Sequence, residues 1–317
     1  MVDPYFRKIV LVVRTTRLDE LIARFNTLDQ ARFYVEHLGA DFSDYLAEHR
    51  NYQEAVVKIS AFLKEFGILQ YLDRRFLPNF IFGSDDRVVV LGQDGLVANT
   101  LKYLEGQRVI GVNPDPSRWD GALLPFTIGD ILRIFPEEMA NKRPVKEVSM
   151  AWAKLNTGQE LLAVNDFFIG KKSHTSARYL LDTGEQQESQ SSSGVIISTG
   201  LGSTGWLKSI YAGWKATTQV LLGDNAEELL LEPVDKGAFP WESEHLHWYV
   251  REPFPSQTTG TGLVIGRIEK GKNLRLISQM AEDGVIFSDG IEEDYISFNS
   301  GTEVIISLAR KRGYLVV

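Results

Sequence analysis

Two short runs constrain this chain more than anything else in it. Lys8–Arg14 reads KIVLVVR and Arg87–Leu91 reads RVVVL, each apolar and β-branched without interruption. A strand with one wet face alternates polar and apolar residues. A strand that is apolar throughout is buried on both faces, the condition inside a parallel sheet covered by helices. Val109–Val112 is a third such run. Helical signals lie between them. Thr27 with Gln30 has the spacing of a capping box, and Gly39 supplies a stop. Phe42–Phe66 keeps a helical period, Val97–Leu104 reads as helix, and Thr127 with Asp130 caps a helix reaching about Glu138. Strand and helix in alternation predict an open α/β sheet of Rossmann-like type.

The texture changes after about Pro144. Val145–Leu155, Leu161–Ile169, Ala177–Leu181, Gly194–Thr199, Leu246–Val250, Gly262–Ile268, Leu274–Gln279 and Val285–Ser288 read as short strands separated by turn residues. This is the pattern of an all-β domain. One helical stretch interrupts it at Ser203–Ala212, and the polar Thr183–Ser193 segment reads as a loop. The expected organisation is an α/β domain over residues 1–140 and a β-rich domain over 141–317, its last strands returning to pack on the first.

Composition narrows the function. A net charge of −8 without a basic stripe argues against nucleic acid as partner. Arg310-Lys311-Arg312 is the longest basic run and reads as a solvated turn. No apolar run is long enough to span a bilayer, and MVDPYFRKIVLVVR lacks the pattern of a secretory leader. The absence of cysteine excludes disulfides, thiolate metal sites and a cysteine nucleophile, and suits the cytoplasm. His37, His49, His174, His245 and His247 form no metal-ligand pattern; His245 and His247 alternate along a strand and are expected on one solvated face.

The chemistry-bearing segment is VVVLGQDGLVANTLKYL. It sets Gly92-Gln93-Asp94-Gly95 between a buried strand and a helix. Ligands of open α/β sheets bind at the carboxyl ends of the strands. Glycines let backbone approach phosphates, and the amides that open a helix favour anions. An aspartate in that turn can orient or deprotonate a hydroxyl or hold Mg²⁺. The same residues also make an ordinary tight turn, as Asp-Gly does again at Asp283-Gly284 and Asp289-Gly290.

In this loop, and in four motifs that follow in order, the sequence resembles the NAD kinases, most closely their mitochondrial type. That family carries Gly-Gly-Asp-Gly-Thr; here Gln93 replaces the second glycine and Leu96 the threonine. Gly111-Val112-Asn113 stands for Gly-Ile-Asn, and Asn165-Asp166 for Asn-Glu. Thr199-Gly200-Leu201-Gly202-Ser203-Thr204-Gly205-Trp206 stands for Thr-Pro-Thr-Gly-Ser-Thr-Ala-Tyr, and Phe287–Gly290 matches the late Asp-Gly turn. The resemblance implies an NAD kinase-like fold and the phosphorylation of NAD by ATP with Mg²⁺. It implies Asp94 as the catalytic residue. It implies Gly92, Gln93, Gly95, Asn113, Asn165, Asp166, Thr199, Gly202, Ser203, Thr204 and Trp206 as ligand-binding residues, with Thr204 on the adenine. It further implies a homodimer or homotetramer. Two rival readings are a kinase for another small hydroxyl compound, such as a sugar or lipid, and a dinucleotide-binding protein without kinase activity. Leu96, with nothing polar to offer, favours the latter.

Overall fold

A computed structural model describes residues 7–223 and 238–317. The first six residues, part of the stretch read as lacking a leader, lie outside the described residues. The chain divides into two compact units, one of residues 1–146 with 314–317 and one of residues 147–313.

The first unit is built on parallel strands β1 (Lys8–Val13), β2 (Ile68–Asp73), β3 (Arg87–Leu91) and β4 (Arg108–Asn113), in the order β2-β1-β3-β4. The outer edge of β4 is shared by the two-residue β5 (Phe126–Thr127) and by Tyr314 and Leu315 from the far end of the chain. Ile9, Val10, Leu11 and Val12 are all wholly buried, as a two-sided interior strand requires. Helices α1 (Arg17–Phe25), α2 (Leu28–His37), α3 (Phe42–Leu63), α4 (Asp94–Leu101) and α5 (Ile128–Met139) complete it. Ile9, Leu11, Val89, Leu91, Ile110 and Val112 form one face, packed against Tyr52, Ala55, Ile59 and Leu63 of α3 and Ile131, Ile134 and Phe135 of α5. The capping-box reading at Thr127 and Asp130 holds in both directions. At Thr27 only half of it forms: the hydroxyl accepts from the Gln30 amide. A second full box forms between Thr16 and Asp19 at α1.

The second unit is a two-layer antiparallel sandwich. Its strands are β6 (Val145–Leu155), β7 (Glu160–Ala163), β8 (Asp166–Lys171), β9 (Ala177–Asp182), β10 (Gln187–Ser192), β11 (Val195–Ser198), β12 (His245–Val250), β13 (Ile265–Glu269), β14 (Leu274–Ser278), β15 (Gly284–Ser288), β16 (Ile291–Ser297) and β17 (Glu303–Val316). One layer runs β10-β9-β14-β17 with β6 and β7 alongside; the other runs β13-β12-β11-β8-β15-β16. Phe167, Ile169, Val195, Ile197, Trp248 and Ile286 of the second layer meet Ala151, Tyr179, Leu181, Leu276 and Val304 of the first. Helix α6 (Trp206–Leu222) packs Leu207 and Tyr211 against Tyr249 of β12.

Two expectations fail here. The polar Thr183–Ser193 segment contains a paired strand, β10, with Gln190, Ser191 and Ser192 buried. Its polar side chains find partners: Ser192 Oγ lies 2.7 Å from the Tyr179 hydroxyl, and Gln190 Nε2 donates to the Leu263 carbonyl at 2.6 Å. Arg310-Lys311-Arg312 is not a turn but part of the 14-residue β17, and Arg312 donates to the Ser149 hydroxyl. The expected solvated face at β12 is also half wrong. His245 and His247 do share a side, but Phe239 stacks on both rings, and burial pushes His247 down to about 4.

Candidate active site

In the α/β unit the glycine–aspartate loop joins the carboxyl end of β3 to α4. Gly92 is buried and closes on the neighbouring strand through its N–H to the Val112 carbonyl, 3.2 Å. Gln93 is the N-cap of α4 but makes no side-chain cap bond, so the amides of the first turn keep no side-chain acceptor from it. Asp94 is the first helical residue. Its Oδ1 accepts the Leu123 N–H at 2.6 Å, which fixes the carboxylate and leaves Oδ2 without a hydrogen bond among the described residues. Gly95 is exposed, and a methyl group there would meet no atom within 4 Å. The loop therefore presents one oriented carboxylate beside open backbone. Leu96 turns the other way: it is 4% exposed, and its Cδ2 would lie 2.9 Å from a side chain at Gly92. Leucine at this position is core.

The segment that reaches Asp94 is itself explained by the Gly-Val-Asn motif. A Cβ at Gly111 would fall 2.1 Å from the Leu123 carbonyl oxygen, so only glycine lets residues 121–124 close on β4. Asn113 is buried, and its amide is engaged at both ends. Oδ1 accepts from the Asp115 N–H at 3.0 Å and Nδ2 donates to the Trp119 carbonyl at 2.9 Å. Asp115, Arg118 and Asp44 extend this brace to α3: Arg118 Nη2 donates to Asp44 at 2.7 Å, and this bond with that from Arg17 holds Asp44 at about 2.

In the β unit the remaining residues gather where β8 begins and β11 ends. Thr199 is the pivot. Its N–H donates to the Asn165 carbonyl at 2.9 Å, its hydroxyl donates to the Val164 carbonyl at 2.5 Å, and the Gly202 N–H returns to that hydroxyl at 3.2 Å. A Cβ at Gly202 would lie 2.0 Å from the Asn165 carbonyl oxygen, so the glycine permits the turn to sit on Asn165. Ser203 is buried and donates to the Gly200 carbonyl at 2.6 Å. Thr204 is exposed, and Trp206 stacks on Phe168 at 6.0 Å with Arg251 over its ring at 5.5 Å.

Asp166 is 9% exposed, and its carboxyl makes no hydrogen bond to a described residue. Burial, with the charge of Asp289 nearby, pushes it up to about 7. The amides around it are taken by Asp289, whose Oδ1 accepts from Val164 at 3.0 Å and Asn165 at 2.6 Å. The sequence reading matched this aspartate to a motif and gave it no place in the site. Its signal was there: Asp289 and Gly290 have φ of 56° and 69°, the pair of left-handed residues that a two-residue hairpin between β15 and β16 demands.

The chain resembles the NAD kinase family. It is 27% identical over 252 residues to rat mitochondrial NAD kinase 2, a match that takes in 63% of this chain and 59% of that protein. Yeast NADH kinase in complex with NADH superimposes with a TM-score of 0.58 at 15% identity, over all of this chain and 84% of that one. The NAD kinase of Archaeoglobus fulgidus in complex with ATP gives 0.55 at 14% identity, over 98% and 94%. No family model matches the sequence. The fold is thus NAD kinase-like, an α/β unit and a β sandwich in one chain. Among the described residues no helix is long and apolar enough to cross a membrane.

Proposed function

We propose that this chain transfers the γ-phosphoryl group of ATP to the 2′-hydroxyl of the adenosine ribose of NAD, giving NADP. The observation that carries the reading is the carboxylate of Asp94, held by one oxygen and open at the other, at the strand end where α/β sheets bind ligands. Asp94 would accept or orient the hydroxyl proton, and the backbone of Gly92, Gln93 and Gly95 would hold the triphosphate. Asn165, Asp166 and Thr204 would hold the dinucleotide, in a homodimer or homotetramer. The solved relatives bear NADH and ATP, the two ligand classes this reading requires.

Mg²⁺ belongs to such a reaction. Among the described residues no three carboxylates or histidines cluster as a protein-only site. Mg²⁺ in phosphoryl-transfer sites is held by one or two carboxylates together with substrate phosphates, and Asp94 fits that donor set. The ion would neutralise charge on the phosphates.

Buried Leu96 favours one rival, a dinucleotide-binding protein without kinase activity, since the family's hydroxyl is replaced by core packing. A coupled assay for NADP formation decides between them, and thermal shift with NAD, NADP and ATP tests recognition. A ligand at a hundredfold excess over its Kd stabilises by about 2.7 kcal/mol. NADP formation with shifts for NAD and ATP supports the kinase. A shift with NAD or NADP and no turnover with any nucleotide supports the rival, and no shift with any of the three removes both.

A further inference from the structure

Arg14 follows β1 and comes level with the loop. Val12 pairs with Val90, and two residues further on the Cδ of Arg14 lies 3.7 Å from the Cβ position of Gly92. The side chain is 10% exposed and held on three sides. Nη2 donates to Glu48 Oε1 at 2.9 Å, Nη1 donates to the Thr15 carbonyl at 3.0 Å, and the guanidinium lies 4.9 Å from the Tyr52 ring centre. The backbone is fixed as well. The Arg14 N–H donates to the Tyr52 hydroxyl and that hydroxyl donates to the Leu91 carbonyl, each at 2.9 Å. One buried phenol thus hangs the ends of β1 and β3 together beside the loop.

The Nε of Arg14, one bond beyond the carbon that lies 3.7 Å from where a Cβ on Gly92 would stand, is buried with no hydrogen-bond partner among the described residues. A buried donor on a charged group without a partner is costly, and a ligand that accepts from it recovers that loss. Next to it the first turn of α4 has no side-chain cap. Glu48 does not cancel the charge alone, because it is shared with Arg17. We infer that Arg14 is a phosphate-binding cation of the loop, donating to an oxygen of the nucleotide triphosphate and supplying what Leu96 cannot. The inference rests on the kinase reading for its ligand. It adds a residue that sequence reasoning passed over as a strand end.

The test is titration calorimetry on the full chain with three probes: inorganic tripolyphosphate, a non-hydrolysable ATP analogue and NAD. Arg14→Gln is expected to weaken both triphosphates about 10- to 100-fold and to leave NAD unchanged, the loss of one hydrogen bond to a charged group. Arg14→Gln alone leaves the buried Glu48 with Arg17 as its one remaining cation, so Arg14→Gln with Glu48→Gln is measured beside it and should show the same loss with a native melting curve. Arg14→Lys should recover part of the affinity, since it keeps the charge and loses the fork. In turnover, KM for ATP should rise more than kcat falls. Triphosphate binding unchanged in the double variant would overturn the role of Arg14 and leave the kinase reading standing. A wild-type chain that binds neither triphosphate would overturn both.

Discussion

The two candidate aspartates sit in opposite surroundings. Asp94 is half-buried, and the Leu123 amide fixes one of its oxygens. Asp166 is more deeply buried and has no such donor, because Asp289 has taken the amides of residues 164 and 165. The α/β unit orients its carboxylate before any ligand arrives. The β unit shapes the turn around its carboxylate and leaves the group itself unsatisfied. An oriented anion suits chemistry; an unsatisfied one suits recognition, since only a partner from outside can complete its hydrogen bonds.

The widest expected gap between them is kinetic. Asp94→Asn should lower phosphoryl transfer about 10²- to 10⁴-fold, the usual worth of a general base. The amide oxygen can still accept from Leu123, so the melting temperature and NAD affinity should hold. Full activity in this variant, measured by the coupled NADP assay, would take Asp94 out of the mechanism.

Asp166→Asn should do the reverse and stabilise the fold while weakening the dinucleotide. Asp166 binds its proton more tightly in the native state than the ordinary carboxylate value of 3.8, up to about 7. The contribution of this one group to native stability is therefore greatest below about pH 4, falls as pH rises toward 7, and is level above it. The interval corresponds to roughly 4 kcal/mol at most, at about 1.4 kcal/mol for each tenfold. Melting curves of the two proteins should coincide near pH 4, separate progressively toward pH 7 and keep a constant gap above it, the asparagine protein being the more stable. Parallel curves across that range would show that Asp166 has a partner after all.

The smallest effect is expected from restoring the family's loop. Leu96→Thr with Gln93→Gly removes a buried leucine and should lower stability by about 1–3 kcal/mol. If Arg14 supplies the missing phosphate contact, turnover should change little. A large gain in NADP formation would mean that the loop had been weakened without compensation.

The parts of this architecture that sequence made legible are those where local pattern and burial agree. Unbroken apolar runs gave β1, β3 and β4, and Thr127 with Asp130 gave the start of α5. What stayed hidden depended on distant partners. Nothing local says that QESQSS is a strand, because Ser192 and Gln190 are satisfied by Tyr179 and Leu263, which are remote from them in sequence. The basic run at 310–312 looked solvated because its acceptors, Ser149 among them, are remote in sequence. At the site, the motif residues were readable as types, but their division of labour was not. Asn113 braces its own loop, Leu96 belongs to the core, and Asp289 serves as the clamp.

That clamp joins residues 124 positions apart in the chain. A nascent chain emerges from its N-terminus, so the backbone around Asn165 exists long before the hairpin that must grip it. Closing so large a loop is an entropic debit that later contacts have to offset, and such long-range pairings form slowly. The turn at Val164 and Asn165 therefore acquires its shape only when the hairpin of β15 and β16 docks. On the proposed function, competence to hold a dinucleotide would then be a late event in the life of the molecule, a sign that its distal half has arrived and not a property its early half could possess.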